Sequence, residues 1–153
     1  MGGIESRPVI IRPSDPDHSF GVLALLGKET KGSRINYLDI EGGSIHRHYN
    51  LQFTGMFSVH DCPDIEITNS RFGKNFIGDD AVHFIRSKAK IRDSLFENAL
   101  FDAMDWDLVD GEITNSIFRG SGNDGLDLSM GNVRVANSRF EKSGNKCISA
   151  GEG

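Results

Sequence analysis

The carboxylates of residues 101–129 occur in two pairs of the same form. The stretch FDAMDWDLVDGEITNSIFRGSGNDGLDLS contains DAMD, with Asp102 and Asp105, and then DGLD, with Asp124 and Asp127. Carboxylates held close together could bind a metal ion. Alternatively, one could stay protonated and act as a general acid while another acts as a base. Each possibility requires the two pairs to lie side by side in the fold.

The chain repeats itself at intervals of 22 to 24 residues. Each repeat contains a first short segment, or phrase, that ends at a phenylalanine: IEITNSRF at Phe72, AKIRDSLF at Phe96, GEITNSIF at Phe118 and VRVANSRF at Phe140. A second phrase follows each of them: DAVHF from Asp80, DAMDW from Asp102, DGLDL from Asp124 and KCISA from Lys146. DAMD and DGLD therefore occupy the same position in adjacent repeats.

The second phrase has the alternation of a strand with one apolar face. In DAVHF, Val82 and Phe84 share that face, as expected from the two-residue period of a strand. Trp106 falls in the same inward column, which favours a core position over a sugar-stacking one. The predicted buried stack of this strand is Val82, Met104, Leu126 and Ile148.

The first phrase must contain a bend. Its apolar column of Ile67, Ile91, Ile113 and Val135 is followed five residues later by the phenylalanines, an interval that breaks the strand period. Asn and Asp tolerate the left-handed backbone conformation better than other non-glycine residues. Residues of these two types lie at the bend: Asn69, Asp93, Asn115 and Asn137. Each repeat is therefore predicted to contain three short strands and about three turns.

These patterns predict an all-β solenoid, a parallel β-helix whose coils stack about 4.8 Å apart. We expect about six coils of roughly 22 residues in one domain, 1–153, with clear repeats in 65–150 and less regular coils in 1–64. In the irregular part, INYLDI and MFSVH are predicted to form one coil, with a long loop around GGSIHRHYNLQ, and VIIRP with GVLALL another. Helical repeats of about 33 residues are excluded by the interval.

The composition agrees with such a fold and restricts the partners. The chain has 18 Gly and 10 Phe but 4 Pro, which suits many short strands joined by tight turns. Residues 93–127 contain nine Asp or Glu and only one basic residue, Arg119, so nucleic acid is not expected as a partner. No apolar run is long enough to predict a transmembrane segment. Cys62 and Cys147 show no metal-binding or disulfide spacing.

The run of NSxF phrases, each followed by DA, DG or NK, resembles the bacterial right-handed parallel β-helix repeat proteins of the pectate-lyase-like superfamily. The resemblance covers residues 35–150. It implies a single-stranded right-handed β-helix, an extracellular or cell-envelope location and a polysaccharide partner. It also implies that DAVHF and its equivalents line a carbohydrate groove with their outer face. The superfamily contains enzymes, binding modules and structural proteins, so the fold alone does not select among them.

Two polar columns are expected along that strand. The outward column is Ser58, His83, Asp105, Asp127 and Ser149, and the column at the strand start is Asp80, Asp102, Asp124 and Lys146. Adjacent carboxylates about 5 Å apart repel each other by roughly 3 kcal/mol at an effective dielectric of about 20. A partly buried site would therefore need some relief of this repulsion.

Three arrangements could reduce the repulsion between these carboxylates. A Ca²⁺ cofactor could be bound by Asp102, Asp105, Asp124 and Asp127, because this ion prefers oxygen ligands. One carboxyl could remain protonated, with Asp102, Asp105, Asp124, Asp127 and His83 as candidate catalytic residues. In the third arrangement, turn N–H groups and Lys146 donate to the carboxylates, which then serve as loop caps.

Further residues are candidates for binding a polysaccharide: Asp80, Arg86, Lys88 and Lys146. In IRSKAKIR, residues 85–92, the basic side chains alternate onto one side of an extended segment. That side could bind a sulfated or uronic acid chain, or it could be a solvated face beside acidic neighbours. GDDAV, residues 78–82, resembles the double-aspartate element of polygalacturonases, but their companion motifs NTD, GHG and RIK are absent.

The sequence favours an extracytoplasmic module that binds carbohydrate or Ca²⁺ in an acidic groove. One alternative is a polysaccharide lyase, epimerase or glycosidase that uses the aspartates, and another is a structural stalk or adhesion module. The pattern stops within a coil at KCISAGEG without a capping segment. We therefore expect this segment to belong to a longer β-helix chain and to associate end to end when alone.

Overall fold

Residues 1–151, which the computed structural model describes, form a chain of short β-strands. Their one helical element is a 3-10 turn at Lys28–Thr30. The strands are, in chain order, β1 (Val9–Ile11), β2 (Leu23–Leu26), β3 (Ser33–Asn36), β4 (Leu38–Ile40), β5 (His46–His48), β6 (Leu51–Phe53), β7 (Gly55–His60), β8 (Ile65–Thr68), β9 (Arg71–Phe72), β10 (Asp80–Ile85), β11 (Lys88–Arg92), β12 (Leu95–Glu97), β13 (Asp102–Asp107), β14 (Asp110–Thr114), β15 (Ile117–Arg119), β16 (Leu126–Ser129), β17 (Val133–Ala136), β18 (Arg139–Glu141) and β19 (Ile148–Gly151).

Three parallel sheets run along the length of the molecule. Sheet I is β1-β4-β9-β12-β15-β18, sheet II is β2-β7-β10-β13-β16-β19, and sheet III is β3-β8-β11-β14-β17. The chain visits the sheets in the order I, II, III and then begins the next level. This arrangement is a parallel β-solenoid, as the repeat predicts, and it has about four turns where about six coils were expected. Sheets I and II each contain six strands and sheet III contains five, and the earliest turns are longer than the regular repeat.

The predicted register is confirmed in the regular part. Val82 pairs with Met104, and Leu126 pairs with Ile148. Val82, Met104 and Leu126 are fully buried. Ile148 was expected to be buried with them, but it is 42% exposed because β19 is the last described strand of sheet II and has a neighbour on one side only. Trp106 is fully buried, as predicted.

The phenylalanines of sheet I form the predicted stack. Successive ring centroids from Phe72 through Phe96 and Phe118 to Phe140 are 4.9, 4.7 and 4.6 Å apart, with nearly parallel planes. Equal positions in successive turns are held about 4.8 Å apart by the strand spacing, so equal aromatic side chains stack face to face. This stack fills one side of the apolar interior.

The bend residues adopt the predicted conformation. Asn69, Asp93, Asn115 and Asn137 have φ between 50° and 52°. The serine that follows each of them adds a second ladder, which was not predicted from the sequence. For example, the Ser94 backbone N–H donates to Ser116 Oγ, and the Ser70 N–H donates to Ser94 Oγ. These bonds satisfy buried backbone donors at the corner between sheets III and I.

The long loop expected in the early part of the chain is an ordered hairpin. Strands β5 and β6 pair in antiparallel register, and this β5–β6 hairpin is joined to the turn before β10. There, the Ile45 N–H and Ser44 Oγ both donate to the Ile77 carbonyl. The hairpin and the residue that follows it reach sheet II, where all six residues of β7 are buried.

Candidate functional site

The outward side chains of sheet II form a polar row across adjacent turns. His83 on β10 is in register with Asp105 on β13, which is in register with Asp127 on β16. Because side chains alternate along a strand, Asp107 points to the same side as Asp105. We call His83, Asp105, Asp107 and Asp127 the acidic face. The predicted outward column, from Ser58 through these positions to Ser149, is confirmed by the strand register.

The β5–β6 hairpin closes one end of this face. Phe53, at the end of β6, lies against the His60 ring with centroids 4.8 Å apart. The His60 ring in turn meets the His83 ring edge to face at 5.2 Å. His60 and His83 are thereby buried even though both lie on the outward side of sheet II. Burial lowers the pKa of His60 to about 4, so this imidazole is neutral.

His83 is 6% exposed and is held from both ring nitrogens. Its Nδ1 lies 2.8 Å from Oγ1 of Thr54, the residue after the hairpin. Its Nε2 lies 3.4 Å from Asp107 Oδ2 and 3.9 Å from Asp105 Oδ2. Burial lowers the pKa of His83, although the hydrogen bond with Asp107 acts in the opposite direction. The Thr54 contact therefore fixes the ring with Nε2 directed at the two carboxylates.

Asp105 is the carboxylate most affected by its surroundings. Burial raises the pKa of Asp105 to about 8, and repulsion by Asp80, Asp107 and Asp127 adds to this rise. Burial also raises the pKa of Asp80 to about 7, while a hydrogen bond with Thr54 opposes the shift. Both groups thus lie where negative charge is poorly compensated.

The acidic face lacks the cationic partners that carboxylates have elsewhere on the molecule. On sheet I, Arg71 binds Glu41 and Glu97 at 2.7 Å each. On sheet III, Arg92 binds Glu66 at 2.8 Å. Within residues 1–151, no Lys or Arg forms an ion pair with the three aspartates of the acidic face, for which His83 is the one basic neighbour. The repulsion expected from the sequence is therefore left without a counter-charge.

The aspartates at the strand starts have a different role. Asp102 Oδ1 accepts hydrogen bonds at 2.7 Å from the Asp124 backbone N–H and from Asn123 Nδ2 of the next turn. Asp124 Oδ1 accepts one at 2.8 Å from the Lys146 N–H, and Lys146 Nζ lies 3.4 Å from its other oxygen. The loop-cap alternative therefore describes Asp102 and Asp124.

This arrangement divides the four aspartates of the expected Ca²⁺ site. Asp105 and Asp127 are on the acidic face, whereas Asp102 and Asp124 are buried and engaged by turn donors. The latter two do not offer free carboxylates to an ion shared with the former. The four-aspartate Ca²⁺ site stays a prediction, and the donors present at the strand starts suit loop capping better.

The basic residues expected to bind a polysaccharide lie apart from the acidic face. Arg86 is at the corner after β10, where its Nε and Nη2 donate to the Asp61 carboxylate, at 2.7 and 2.9 Å. Lys88 is exposed on sheet III, and Lys146 is beside Asp124. Asp80 is buried at the start of β10. The structure therefore brings together His83, Asp105 and Asp127 among the predicted site residues, with Asp80 near enough to repel Asp105. The basic residues lie apart from them.

Three residues of this region were not predicted from the sequence as site residues. Asp107 follows the same alternation as Asp105 and could have been found from it. Thr54 and His60 are placed beside His83 by the β5–β6 hairpin, for which the sequence carries no repeat signal. With Asp107 included, one ligand atom each from His83, Asp105 and Asp107 lie within 4.8 Å of one another, a spacing that could hold a metal ion.

An exposed apolar rim borders the acidic face at the start of the sheet II strands. Phe101, which directly precedes Asp102, is 48% exposed, and Leu100 is also exposed. One turn earlier, Phe76 and Ile77 are exposed in the equivalent turn before Asp80. We call these four residues the apolar rim. Exposed aromatic side chains beside a polar row offer a surface for a ligand with both apolar and polar faces.

No family model, curated protein or solved structure matches this chain. The assignment as a parallel β-solenoid rests on the strand order and register of the three sheets. Among the described residues, no helix is both long enough and apolar enough to cross a bilayer.

Proposed function

We propose that sheet II binds a polysaccharide along its acidic face. The observation that carries this proposal is the row of outward carboxylates that no Lys or Arg compensates, on a molecule where carboxylates such as Glu97 on sheet I and Glu66 on sheet III pair with arginines. Unpaired carboxylates are costly unless a ligand or solvent satisfies them. A function in ligand binding explains why this row differs from the surfaces of sheets I and III.

The geometry suits an extended chain. Asp105 and Asp127 occupy equal positions in adjacent turns, about 4.8 Å apart along the solenoid. Carboxylates at such a spacing can accept hydrogen bonds from hydroxyl groups of successive sugar units. Phe101 on the apolar rim supplies an exposed ring against which the C–H face of a sugar can pack.

The negative charge of the acidic face restricts the kinds of glycan that can bind there. The carboxylates of Asp107 and Asp127 repel a chain that carries carboxylates or sulfates of its own, and the candidate cations Arg86 and Lys88 lie elsewhere. The acidic face is therefore expected to prefer neutral glycans or glycans with amino groups. We also propose that the chain is a member of the pectate-lyase-like superfamily and that it functions in the extracellular bacterial setting which that resemblance implies.

Binding to an array of neutral, amino-substituted and anionic glycans tests this function. Neutral or amino-substituted chains should bind, and the double change Asp105→Asn with Asp127→Asn should reduce the signal by at least about tenfold, as should Phe101→Ala. Asp93→Asn is the matched control, because Asp93 is exposed at a corner where the equivalent residues are asparagines. That variant should bind as the original chain does.

The other outcomes are equally informative. Bound glycans that are recovered as shorter or unsaturated products would indicate the alternative function, a polysaccharide-active enzyme. Preferential binding of anionic chains, unaffected by the Asp105 and Asp127 changes, would contradict the acidic face as the site. A chain that binds no glycan would leave the structural stalk or adhesion module as the better description.

A further inference from the structure

We propose that His83, Asp105 and Asp107 bind one divalent transition-metal ion of the Zn²⁺ type. These three side chains come from the neighbouring strands β10 and β13 and converge at the closed end of the acidic face. The inference does not rest on the polysaccharide proposal, because the ion can be measured in the absence of any glycan.

The two distances from His83 Nε2 are close to those around such an ion, and the two carboxylate oxygens lie within 4.8 Å of each other. Nitrogen and oxygen ligands about 2.0 to 2.2 Å from a tetrahedral Zn²⁺ lie roughly 3.3 to 3.6 Å from one another. His83 Nε2 is 3.4 Å from Asp107 Oδ2, which is already within that range. Its distance of 3.9 Å to Asp105 Oδ2 requires only a small rotation of a partly exposed carboxylate. Three protein ligands would leave a coordination position open to water or a ligand.

Thr54 supplies the support that a metal-binding histidine needs. Its Oγ1 lies 2.8 Å from His83 Nδ1, so the hydroxyl can accept a hydrogen bond from Nδ1–H and leave the Nε2 lone pair directed at the carboxylates. A lone pair facing two carboxylate oxygens is unfavourable unless a proton or a metal ion lies between them. Second ring nitrogens of metal-binding histidines are usually held by such a hydrogen bond.

His60 provides an independent observation beside the same cluster. It is 4% exposed, and its Nε2 has no hydrogen-bond partner among the described residues. Its ring packs edge to face against His83. A buried polar atom without a partner is costly. A water molecule carried by an ion at the neighbouring cluster would offer this nitrogen a donor.

The ligand set distinguishes the class of ion. Ca²⁺ takes six to eight oxygen ligands in protein sites, whereas this cluster offers one imidazole nitrogen and two carboxylates. Imidazole ligands favour Zn²⁺ and its first-row neighbours. Three ligands with two negative charges also suit a divalent cation, which would supply the charge that no Lys or Arg provides here.

Calorimetric titration of the metal-free chain with Zn²⁺, and separately with Ca²⁺, tests the proposal. The chain should carry Cys147→Ser, since an exposed thiol can bind Zn²⁺ by itself. We expect one Zn²⁺ per chain, a rise in melting temperature with Zn²⁺, and much weaker binding of Ca²⁺. Co²⁺ in place of Zn²⁺ should show visible absorption bands characteristic of an ion with a low coordination number and nitrogen and oxygen ligands.

Single substitutions test whether the ion binds at these three side chains. His83→Gln and Asp107→Asn should each weaken Zn²⁺ binding by at least about 100-fold, and Thr54→Val by about 10- to 100-fold, with Thr54→Ser restoring it. Asp107 is partly exposed, so its variant keeps the test valid if the change at buried His83 impairs folding. Asp93→Asn serves as the control for removal of a negative charge.

The exposed imidazoles of His46 and His48 on the β5–β6 hairpin are the competing site. The double variant His46→Gln with His48→Gln should keep the one tight Zn²⁺ site. Loss of binding in that double variant, persistence of binding in both His83→Gln and Asp107→Asn, or Ca²⁺ binding as tight as Zn²⁺ binding would each overturn the proposal.

Discussion

Asp80 is a carboxyl group that the fold buries without a cation. It begins β10, and burial together with Asp79, Asp102 and Asp107 raises its pKa to about 7. The unfolded chain has the ordinary pKa of 3.8. Between these values the native state keeps a proton that the unfolded state loses, so stability falls as pH rises from about 4 to 7 and then levels off. The full loss is about 4 kcal/mol for a shift of this size.

Replacing this residue should remove that dependence. We expect the difference in unfolding free energy between Asp80→Asn and the original chain to shift in favour of the variant by up to about 4 kcal/mol between pH 4 and pH 8. Urea denaturation at both pH values, with a chelator present, measures it. Asp93→Asn is the control for charge removal at an exposed corner. An Asp80→Asn difference that is the same at both pH values would contradict the burial account.

The phenylalanine stack of sheet I shows how an element of this solenoid is stabilised. Phe96 is fully buried between Phe72 and Phe118, with centroid distances of 4.9 and 4.7 Å. Its ring has a partner on each face, so no neighbouring side chain can fill the space that its loss would leave.

The substitution Phe96→Ala should therefore strongly destabilise the protein. We expect it to lower the unfolding free energy by about 3 to 5 kcal/mol, the usual cost of emptying a buried aromatic site. Phe101→Ala, at an exposed phenylalanine of the apolar rim, should change stability by less than about 0.5 kcal/mol. Chemical denaturation of both variants provides the comparison, and equal effects would argue against the stack as a source of stability.

The whole molecule behaves as a stack in which each turn contacts its neighbours. Strands β7, β10 and β13 lie in the middle of sheet II, while β2 and β19 lie at its ends. In such quasi-one-dimensional folds, local stability depends on having a neighbour on both sides. The β5–β6 hairpin adds cover over the middle turns, where β7 is buried along its whole length.

Amide hydrogen exchange should reveal this gradient. We expect the slowest exchange in β7, β10 and β13 and the fastest in β2 and β19, because an end strand can open without breaking the stack. Exchange followed by mass spectrometry of peptides resolves these segments. Uniform protection along sheet II would mean that the chain unfolds as one unit and not from its ends.

Much of this fold could be predicted because a solenoid repeats its environment. The interval from Asp80 to Asp102, and from Phe96 to Phe118, predicts which residues lie in adjacent turns, since strands of successive coils pair in register. Alternation then predicts which side chains face the interior. The left-handed corner at Asn115 was predictable as well, because few residue types tolerate that backbone conformation.

What the sequence determined by itself was therefore the β-solenoid, its register and the row from His83 to Asp127. Only the tertiary structure decided what each carboxylate in that row and beside it contacts. Asp102 caps the next turn while Asp105 faces outward, because the backbone of the turn, and not the repeat, directs its N–H groups at Asp102. The β5–β6 hairpin occurs once in the chain, so no periodicity could show that it places Thr54 and His60 against His83.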